Sequence, residues 1–224
     1  MKLKTCVIFL FIILMASCIV QREVLYIHEP DFSIYESMNV FDAGNIIETK
    51  NGAGSSRMPA WLAAYIAGGI EEVEKLDSYN GKYVFIAVNE SGVFNILEKW
   101  TENFTVLYDF SLLAASRIEK RMILSSSLYP DDEYGMFFET FVKNAYNAEY
   151  PGVVKEDASW VRTIKYDYAE PRTVYMFFIL ISIDKTVMQN IVRNIMTRTA
   201  ASVTMTNAQR NSINRLRQNI FEGF

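Results

Sequence analysis

The order of apolar and polar positions along the body of the chain predicts strands at two places. Residues 83–88 are rich in β-branched and aromatic side chains and lie between Asn80-Gly81 and Asn89, which predicts a β-strand. Residues 153–168 and 174–183 predict a β-hairpin that turns across residues 169–172. The second arm of this hairpin is an almost continuous apolar run, as expected of a central strand that is buried on both sides.

Apolar residues recur at helical spacing between the first strand and the hairpin. Starting from Ser91, a residue type that can cap a helix, their steps of three, four and seven predict one long helix reaching about residue 125. Charged residues of the same stretch, among them Arg117, are predicted to face solvent. The aromatic and β-branched cluster at residues 104–108 could instead divide the stretch into two elements. The apolar stripe consists of Val93, Leu97, Trp100, Phe104, Leu107, Ala114, Ile118 and Met122.

Two further helices complete the predicted fold. One follows an acidic turn and has Met136, Phe137, Phe141 and Ala145 on its apolar face, and the other is capped by Asp184. The elements together predict an α+β domain with the order β-α-α-β-β-α. In this fold a small antiparallel sheet of about three strands is covered by helices on one face. A signal and tether precede the domain and a C-terminal helix follows it.

The first residues of the chain have the pattern of an export signal. Residues 1–5 carry two lysines, and residues 6–15 are an uninterrupted apolar run, too short to cross a membrane as a helix. Leu14-Met15-Ala16-Ser17-Cys18 resembles a lipobox, which predicts cleavage before Cys18 and attachment of lipid to its thiol. Several acyl chains on one residue give a stable membrane anchor. Because no Asp follows Cys18, the outer membrane is favoured over the inner membrane.

Two alternatives to lipid attachment exist. Ordinary signal-peptidase cleavage would release a secreted soluble protein, and an uncleaved leader would act as a short anchor. The predicted organisation is a signal peptide at 1–17, a lipid-anchored tether at 18–57, a globular domain at 58–196 and a basic amphipathic helix at 197–224. A short strand at 24–27 and a Gly-containing linker at 51–56 are predicted within the tether.

Composition restricts the chemistry that the body can perform. Cys6 and Cys18 are the two cysteines and His28 is the single histidine, and all three precede the predicted domain. The domain alone therefore cannot assemble a disulfide, a thiolate metal site or a Ser/His/Asp triad, and no cofactor is predicted. The formal net charge is -4, and loss of Lys2 and Lys4 with the leader makes the chain more acidic. An acidic body argues against nucleic acid as a partner, since phosphate binding needs a basic face.

Acidic clusters and one aromatic residue are candidates for binding or catalysis. Asp131, Asp132 and Glu133 could hold a cation, but they lack the interleaved spacing of a calcium loop, so an N-terminal cap of the following helix is the favoured interpretation. For Glu71, Glu72 and Glu74 a solvated face is favoured over a general acid and base. Asp157 and Trp160 could form a carbohydrate-stacking site, although a single Trp in a strand is more often part of the core.

The last helical region is basic. It contains five arginines and no acid between residues 187 and 221, and Ile213, Leu216 and Ile220 recur at helical spacing. Such a helix could contact anionic lipid or an acidic partner. The simpler alternative, which is favoured, packs its apolar side on the domain and leaves the arginines in water. The candidate contact residues are Arg193, Arg198, Arg210, Arg215 and Arg217.

The order of elements over residues 58–196 resembles that of a known family. Pro59-Ala60-Trp61 precedes the first strand, Ala114-Ala115-Ser116-Arg117 lies in the first helix, and Tyr175 and Ile183-Asp184-Lys185 lie in and after the last strand. In these features the chain resembles the LPP-twenty-like bacterial lipoproteins, which include flagellar accessory lipoproteins. The resemblance implies a non-enzymatic envelope component of outer-membrane assemblies, motility structures or host contact.

These observations lead to one expected function and two alternatives. We expect a membrane-anchored bacterial lipoprotein that acts as a non-catalytic binding or assembly module and contacts an envelope protein partner. An envelope glycan-acting hydrolase is the first alternative, and it would need two carboxylates facing each other across a cleft. A secreted soluble protein that binds a small ligand is the second, and it would need a sizeable apolar pocket.

Overall fold

The structure is a computed structural model and describes residues 46–51, 57–167, 170–222 and 224. All of these residues belong to one compact unit. The leader, Cys18, the strand predicted at 24–27 and residues 52–56 of the predicted linker lie outside the described residues. Within the described part, no helix combines the length and the apolar composition that crossing a membrane would require.

The domain is α+β, as predicted, and its strands all run antiparallel to their neighbours. The elements in chain order are β1 Ile46–Asn51, α1 Ala60–Gly68, α2 Ile70–Glu74, a 3-10 helix Asp77–Tyr79, β2 Lys82–Ser91, α3 Phe94–Asn103, α4 Val106–Ser125, α5 Pro130–Tyr134, α6 Met136–Tyr146, β3 Val154–Asp167, β4 Glu170–Asp184, α7 Lys185–Ser202 and α8 Asn207–Asn219.

The four strands form one sheet in the order β1-β3-β4-β2. The predicted hairpin is confirmed as β3 and β4, and its pairing extends to Asp167 opposite Glu170. Strand β4 is central, because it pairs with β3 on one side and with the predicted first strand, β2, on the other. From residue 176 to residue 183 every side chain of β4 is buried, which explains its continuous apolar run.

Helices cover both faces of the sheet, whereas the sequence pattern predicted cover on one face. Phe178 and Ile179 are adjacent in β4 and therefore point to opposite faces, yet neither is exposed to solvent. Ile179 belongs to the main core with α4, α6, α7 and α8. Phe178 meets the ring of Tyr65 in α1 at a centroid distance of 6.1 Å. Helices α1 and α2 therefore provide the second layer. They were not predicted, because no helical spacing of apolar residues was recognised in their sequence.

Strand β1 lies in the segment that was predicted to be a tether. Ile46 pairs with Thr163 and Asn51 pairs with Ser159, so this segment extends the sheet beyond β3. The prediction that the domain begins at residue 58 is therefore wrong for residues 46–51. The strand is short and its partner is distant along the chain, so neither its length nor its pattern distinguishes it from a tether.

The predicted long helix is divided into α3 and α4, as the alternative interpretation allowed. Phe104 and Thr105 both have extended backbone conformations, and the chain bends between the two helices there. Ser91 does not cap α3 directly, but its hydroxyl accepts a hydrogen bond from the Val93 amide at 3.0 Å. Two residues of the predicted apolar stripe are at the surface: Val93, which precedes α3, is 54% exposed, and Leu107, which follows the bend, is 72% exposed.

The C-terminal region is part of the domain. Asp184 caps α7 as predicted, because its carboxylate accepts a hydrogen bond from the Val187 amide at 3.0 Å. Helix α7 continues to Ser202, so the predicted domain boundary at residue 196 falls inside a helix. Ile213, Leu216 and Ile220 are buried in the main core. The favoured interpretation of the basic helix is therefore the one observed, and α8 has no apolar side available for lipid.

Two charged side chains bind the backbone of Val84 at the outer edge of β2. Glu74 accepts a hydrogen bond from the Val84 amide at 3.0 Å, and Arg117 donates to the Val84 carbonyl at 2.8 Å. The two side chains also pair with each other at 3.3 Å, and Lys185 lies 3.6 Å from the second carboxylate oxygen. An open edge strand presents unpaired backbone groups that can pair with another chain. Here Glu74 and Arg117 occupy those groups at Val84.

Arg117 is largely enclosed by neighbouring side chains, although the sequence pattern predicted that it faces solvent. Its side chain is 16% exposed, and its guanidinium lies 4.8 Å from the ring centre of Phe85, 4.9 Å from that of Phe224 and 5.4 Å from that of Tyr83. Burial lowers the pKa of Arg117 and the adjacent Glu74 carboxylate acts in the opposite direction. This cation is therefore a structural element of the core.

Candidate functional site

The acidic turn predicted between the helices forms the short helix α5. Pro130 occupies its first position, and Asp131, Asp132 and Glu133 lie in its first turn. Proline and acidic side chains are favoured in the first turn of a helix. The predicted cap is not observed, however, because no side chain caps α5 by a hydrogen bond and the following helix α6 begins at Met136 after Gly135. No group of three or more acidic, histidine or cysteine side chains able to hold a metal ion occurs among the described residues.

Glu133 is buried and organises the chain around it. One carboxylate oxygen, Oε2, accepts hydrogen bonds from the Ser127 amide at 2.7 Å, the Ser126 hydroxyl at 3.1 Å and the Leu128 amide at 3.2 Å. The other oxygen, Oε1, lies 3.2 Å from Nη2 of Arg215 in α8. Burial by itself would raise the pKa of Glu133, but these hydrogen bonds outweigh it and lower the pKa below its ordinary value. The ionised carboxylate thus ties the α4–α5 connection to α8.

We expect Glu133→Gln to make the protein less stable at neutral pH, by about 2 kcal/mol, because a charge-assisted acceptor is lost. The substitution should also make the free energy of unfolding depend less on pH in the acidic range. Since the folded-state pKa lies below the unfolded value of about 4.3, the unfolded state binds more protons between these two values. The contribution of Glu133 is therefore complete above that pH and is lost as the pH falls through the folded-state pKa.

Urea unfolding of the wild-type protein and Glu133→Gln at several values between pH 3 and pH 7 measures both effects. The matched control is Glu139→Gln, a change at an exposed carboxylate of α6. Equal pH dependence in wild type and Glu133→Gln would show that this carboxylate does not hold the turn in its ionised form.

A shallow cleft of about 360 Å³ lies beside this carboxylate, between the α4–α5 connection, α5 and the start of α8. Arg215 contributes a partly exposed guanidinium that also donates to the Ser212 hydroxyl at 2.9 Å. Because Glu133 already accepts four hydrogen bonds, it is poorly suited to act as a general base. The lining residues are Ser127, Leu128, Asp132, Glu133, Thr206, Ala208, Gln209, Ser212 and Arg215.

Five large apolar side chains are exposed along the stretch of chain that borders the cleft, and Leu128 among them lines it. All five lie between residues 123 and 136, where α4 ends, α5 follows and α6 begins, and each is at least half exposed. Tyr129 is 81% exposed and Met136 is 72% exposed. Exposed apolar residues that cluster in this way are characteristic of interaction sites. The set, called the α4–α6 surface below, comprises Ile123, Leu124, Leu128, Tyr129 and Met136.

The sequence pattern did not single out this surface. Ile123 and Leu124 directly follow Met122, the last residue of the predicted stripe, so they point about 100° and 200° away from it around the helix. Apolar residues that are off the stripe at the end of a helix were the available signal. Whether such residues are buried depends on the elements that pack nearby, and those are distant in sequence.

The five arginines of α7 and α8 are all exposed and lie in different surroundings. The guanidinium of Arg193 lies 5.2 Å from the ring centre of Phe221, and Arg215 is paired with Glu133. Arg198 follows Arg193 by five residues, which places it about 140° farther around α7. Arg210 and Arg217 lie on α8, about 140° or more around that helix from Arg215. The arginines therefore do not form one continuous face.

The remaining candidate pairs do not form sites. Glu71 is exposed, as predicted, but Glu74 is paired with Arg117 and is not part of a solvated face. Asp157 accepts a hydrogen bond from the Trp61 indole at 2.9 Å on the sheet face covered by α1. Trp160 is three residues farther along β3 and points to the other face, so these two cannot bind one sugar together.

Trp160 belongs to an aromatic cluster at the hairpin end of the sheet. The ring centre of Phe94 in α3 lies 5.1 Å from that of Trp160, 5.3 Å from that of Tyr175 and 5.2 Å from that of Phe177. The rings meet mostly edge to face, the geometry preferred by packed aromatic side chains. The core interpretation of Trp160 therefore fits the observed contacts.

Comparison with known proteins adds no relative. The chain matches no family model, no curated protein and no solved structure. The resemblance to LPP-twenty-like lipoproteins accordingly stays a prediction from residues and element order.

Proposed function

We propose that this chain is a bacterial lipoprotein, anchored by lipid on Cys18, whose domain acts as a non-catalytic docking module of the cell envelope. The observation that carries the docking role is the α4–α6 surface. Its five large apolar side chains are at least half exposed on a domain whose sheet is covered by helices on both faces. The lipobox-like sequence before Cys18 supports the anchor, and the absence of Asp after Cys18 favours the outer membrane over the inner membrane.

The hydrogen bonds of two carboxylates support a binding role. Glu74 and Glu133 have little exposure, and each is engaged by an arginine and by backbone amides. A glycan-acting hydrolase needs a carboxylate that is free to exchange a proton across a cleft. Glu133, which borders the cleft, instead holds the turn that presents Leu128 and Tyr129. Its role is thus to support the docking surface.

The anchor is tested by metabolic labelling with a fatty-acid analogue. We expect label on the wild-type chain in the membrane fraction and its complete loss in Cys18→Ala, because the thiol of Cys18 is the attachment point. Cys6→Ala changes the other cysteine, lies within the predicted leader and serves as the control, which should remain labelled. An unlabelled wild-type chain in the soluble fraction would refute the anchor.

The docking role is tested by placing a photo-cross-linking amino acid at Tyr129 in cells. We expect a discrete adduct that contains an envelope protein, identified by mass spectrometry. Tyr166 is 65% exposed on the β3–β4 hairpin and provides the control position, from which this adduct should be absent. Failure to form the adduct at Tyr129, or its equal formation at both positions, would contradict docking through the α4–α6 surface.

A further inference from the structure

Two exposed carboxylates lie within the α4–α6 surface. Asp131 and Asp132 directly follow Tyr129-Pro130 and are exposed, whereas the next acid, Glu133, is buried. Neither Asp131 nor Asp132 takes part in the ion pairs that the structure shows between described residues. Arg215, the cation of the adjacent cleft, is engaged by Glu133. The surface therefore combines apolar side chains with two exposed carboxylates.

This combination defines the charge of a complementary partner. An apolar partner that covers Leu128 and Tyr129 removes water from the neighbouring carboxylates, and an unpaired carboxylate without water is costly. A lysine or arginine on the partner would compensate Asp131 and Asp132, while an acidic residue there would be repelled. Charge thus selects among partners that all offer apolar side chains.

The charge of the surface argues against the membrane as its occupant. Asp131 and Asp132 are exposed in α5 and are repelled by anionic lipid.

The basic helices α7 and α8 of a second copy are also poor occupants. Helices α7 and α8 carry exposed arginines, but their apolar sides are buried in their own core through residues such as Val192, Ile213 and Leu216. They can offer cations without the apolar side chains that the α4–α6 surface needs.

We propose that the α4–α6 surface binds a protein segment that presents apolar side chains together with lysine or arginine, the cations pairing with Asp131 and Asp132. This inference rests on the proposed docking function and specifies the chemistry of the partner. The apolar contacts supply affinity, and the two carboxylates determine which segments bind.

The test measures binding of two synthetic helical peptides to the purified full chain by fluorescence anisotropy. One peptide has leucines on one side and lysines on the other, and the matched peptide has glutamates in place of the lysines. We expect the lysine peptide to bind at least tenfold more tightly. In Asp131→Lys/Asp132→Lys this preference should reverse, and in Leu128→Ser/Tyr129→Ser both peptides should lose binding.

Matched controls change similar residues elsewhere on the domain. Glu71→Lys/Glu102→Lys makes the same change in net charge at exposed positions, and Ile96→Ser removes an apolar side chain that is 58% exposed. Both controls should retain the preference of the wild-type chain. Thermal unfolding of every variant, followed by circular dichroism, establishes that differences in binding do not arise from loss of the fold.

Three results would overturn the inference. The first is equal binding of both peptides, or a lysine preference that persists in Asp131→Lys/Asp132→Lys. The second is binding to phospholipid vesicles that Leu128→Ser/Tyr129→Ser abolishes, which would make the membrane the occupant. The third is a concentration-dependent dimer that the same variant disrupts. If the adduct at Tyr129 forms in cells while the lysine preference is absent, docking stands and only the chemistry of the partner is wrong.

Discussion

Arg117→Met is expected to lower the free energy of unfolding by about 3–5 kcal/mol, since removing one partner from a buried ion pair leaves the other charge uncompensated. Methionine keeps much of the volume and removes the guanidinium. The Glu74 carboxylate would keep its ion pair with Lys185 at 3.6 Å and its hydrogen bond from the Val84 amide. It would lose its ion pair with the Arg117 guanidinium at 3.3 Å. The Val84 carbonyl would lose the donor at 2.8 Å at the edge of β2.

The surroundings of Arg117 make compensation by water difficult. Its guanidinium lies within 5.4 Å of three ring centres, those of Tyr83, Phe85 and Phe224, so the group is enclosed by aromatic side chains. Arg117→Lys should recover only part of the stability, because an ammonium group cannot match the planar fork that reaches both Glu74 and Val84. The same edge would also become available for pairing with other chains, so we expect Arg117→Met to aggregate more readily on heating.

Urea unfolding of the single variants and of Glu74→Leu/Arg117→Met measures the coupling. The double variant should be more stable than the sum of the single changes predicts, since neither charge is left alone. Lys120→Met, an exposed position one turn farther along α4, is the matched control and should change stability by less than about 0.5 kcal/mol. Additive effects of the Glu74 and Arg117 changes would show that the pair does not act as a unit.

Truncation at two neighbouring positions of β4 should reveal that both faces of the sheet are buried. We expect Phe178→Ala to cost about 3–5 kcal/mol and Ile179→Ala about 2–5 kcal/mol, because each removes a side chain with no solvent exposure. Adjacent strand residues point to opposite faces, so a sheet covered on one side would show a large cost at only one of the two. The paired measurement therefore distinguishes the observed architecture from the one predicted from sequence.

Denaturant unfolding of the two variants supplies these values. The control is Tyr166→Ala on β3, whose side chain is 65% exposed, and its expected effect is less than about 0.5 kcal/mol. If Phe178→Ala left the free energy of unfolding almost unchanged, α1 and α2 would not pack firmly on their face of the sheet. The Tyr65 contact at 6.1 Å would then contribute little to the stability of the domain.

Local pattern was a sufficient guide for the elements that are stabilised by near neighbours. Strand β2 and the β3–β4 hairpin were predicted because β-branched and aromatic runs lie between turn-forming residues. The cap at Asp184 was predicted because its hydrogen bond to Val187 spans only three residues. In each case the residues that signal the element also make its contacts.

Pattern also indicated what kind of surface α8 could present, but it could not choose between two orientations. Ile213 and Leu216 at helical spacing require an apolar environment, and either lipid or the core of the domain satisfies that requirement. The orientation of α8 is determined by α4, α5 and the sheet, because its apolar side packs against them in the core. The arginines are therefore exposed without apolar residues of α8 beside them.

The residues of this chain determine the type and order of its main elements, because hydrophobic spacing and capping act over a few positions. Only the tertiary structure decides that residues 46–51 join the sheet, that α1 and α2 cover its second face and that Arg117 lies inside. The α4–α6 surface depends on tertiary packing in the same way. Exposure and ion pairing are properties of contacts between segments far apart in sequence, such as Arg117 with Glu74 and Glu133 with Arg215, and no local period encodes them.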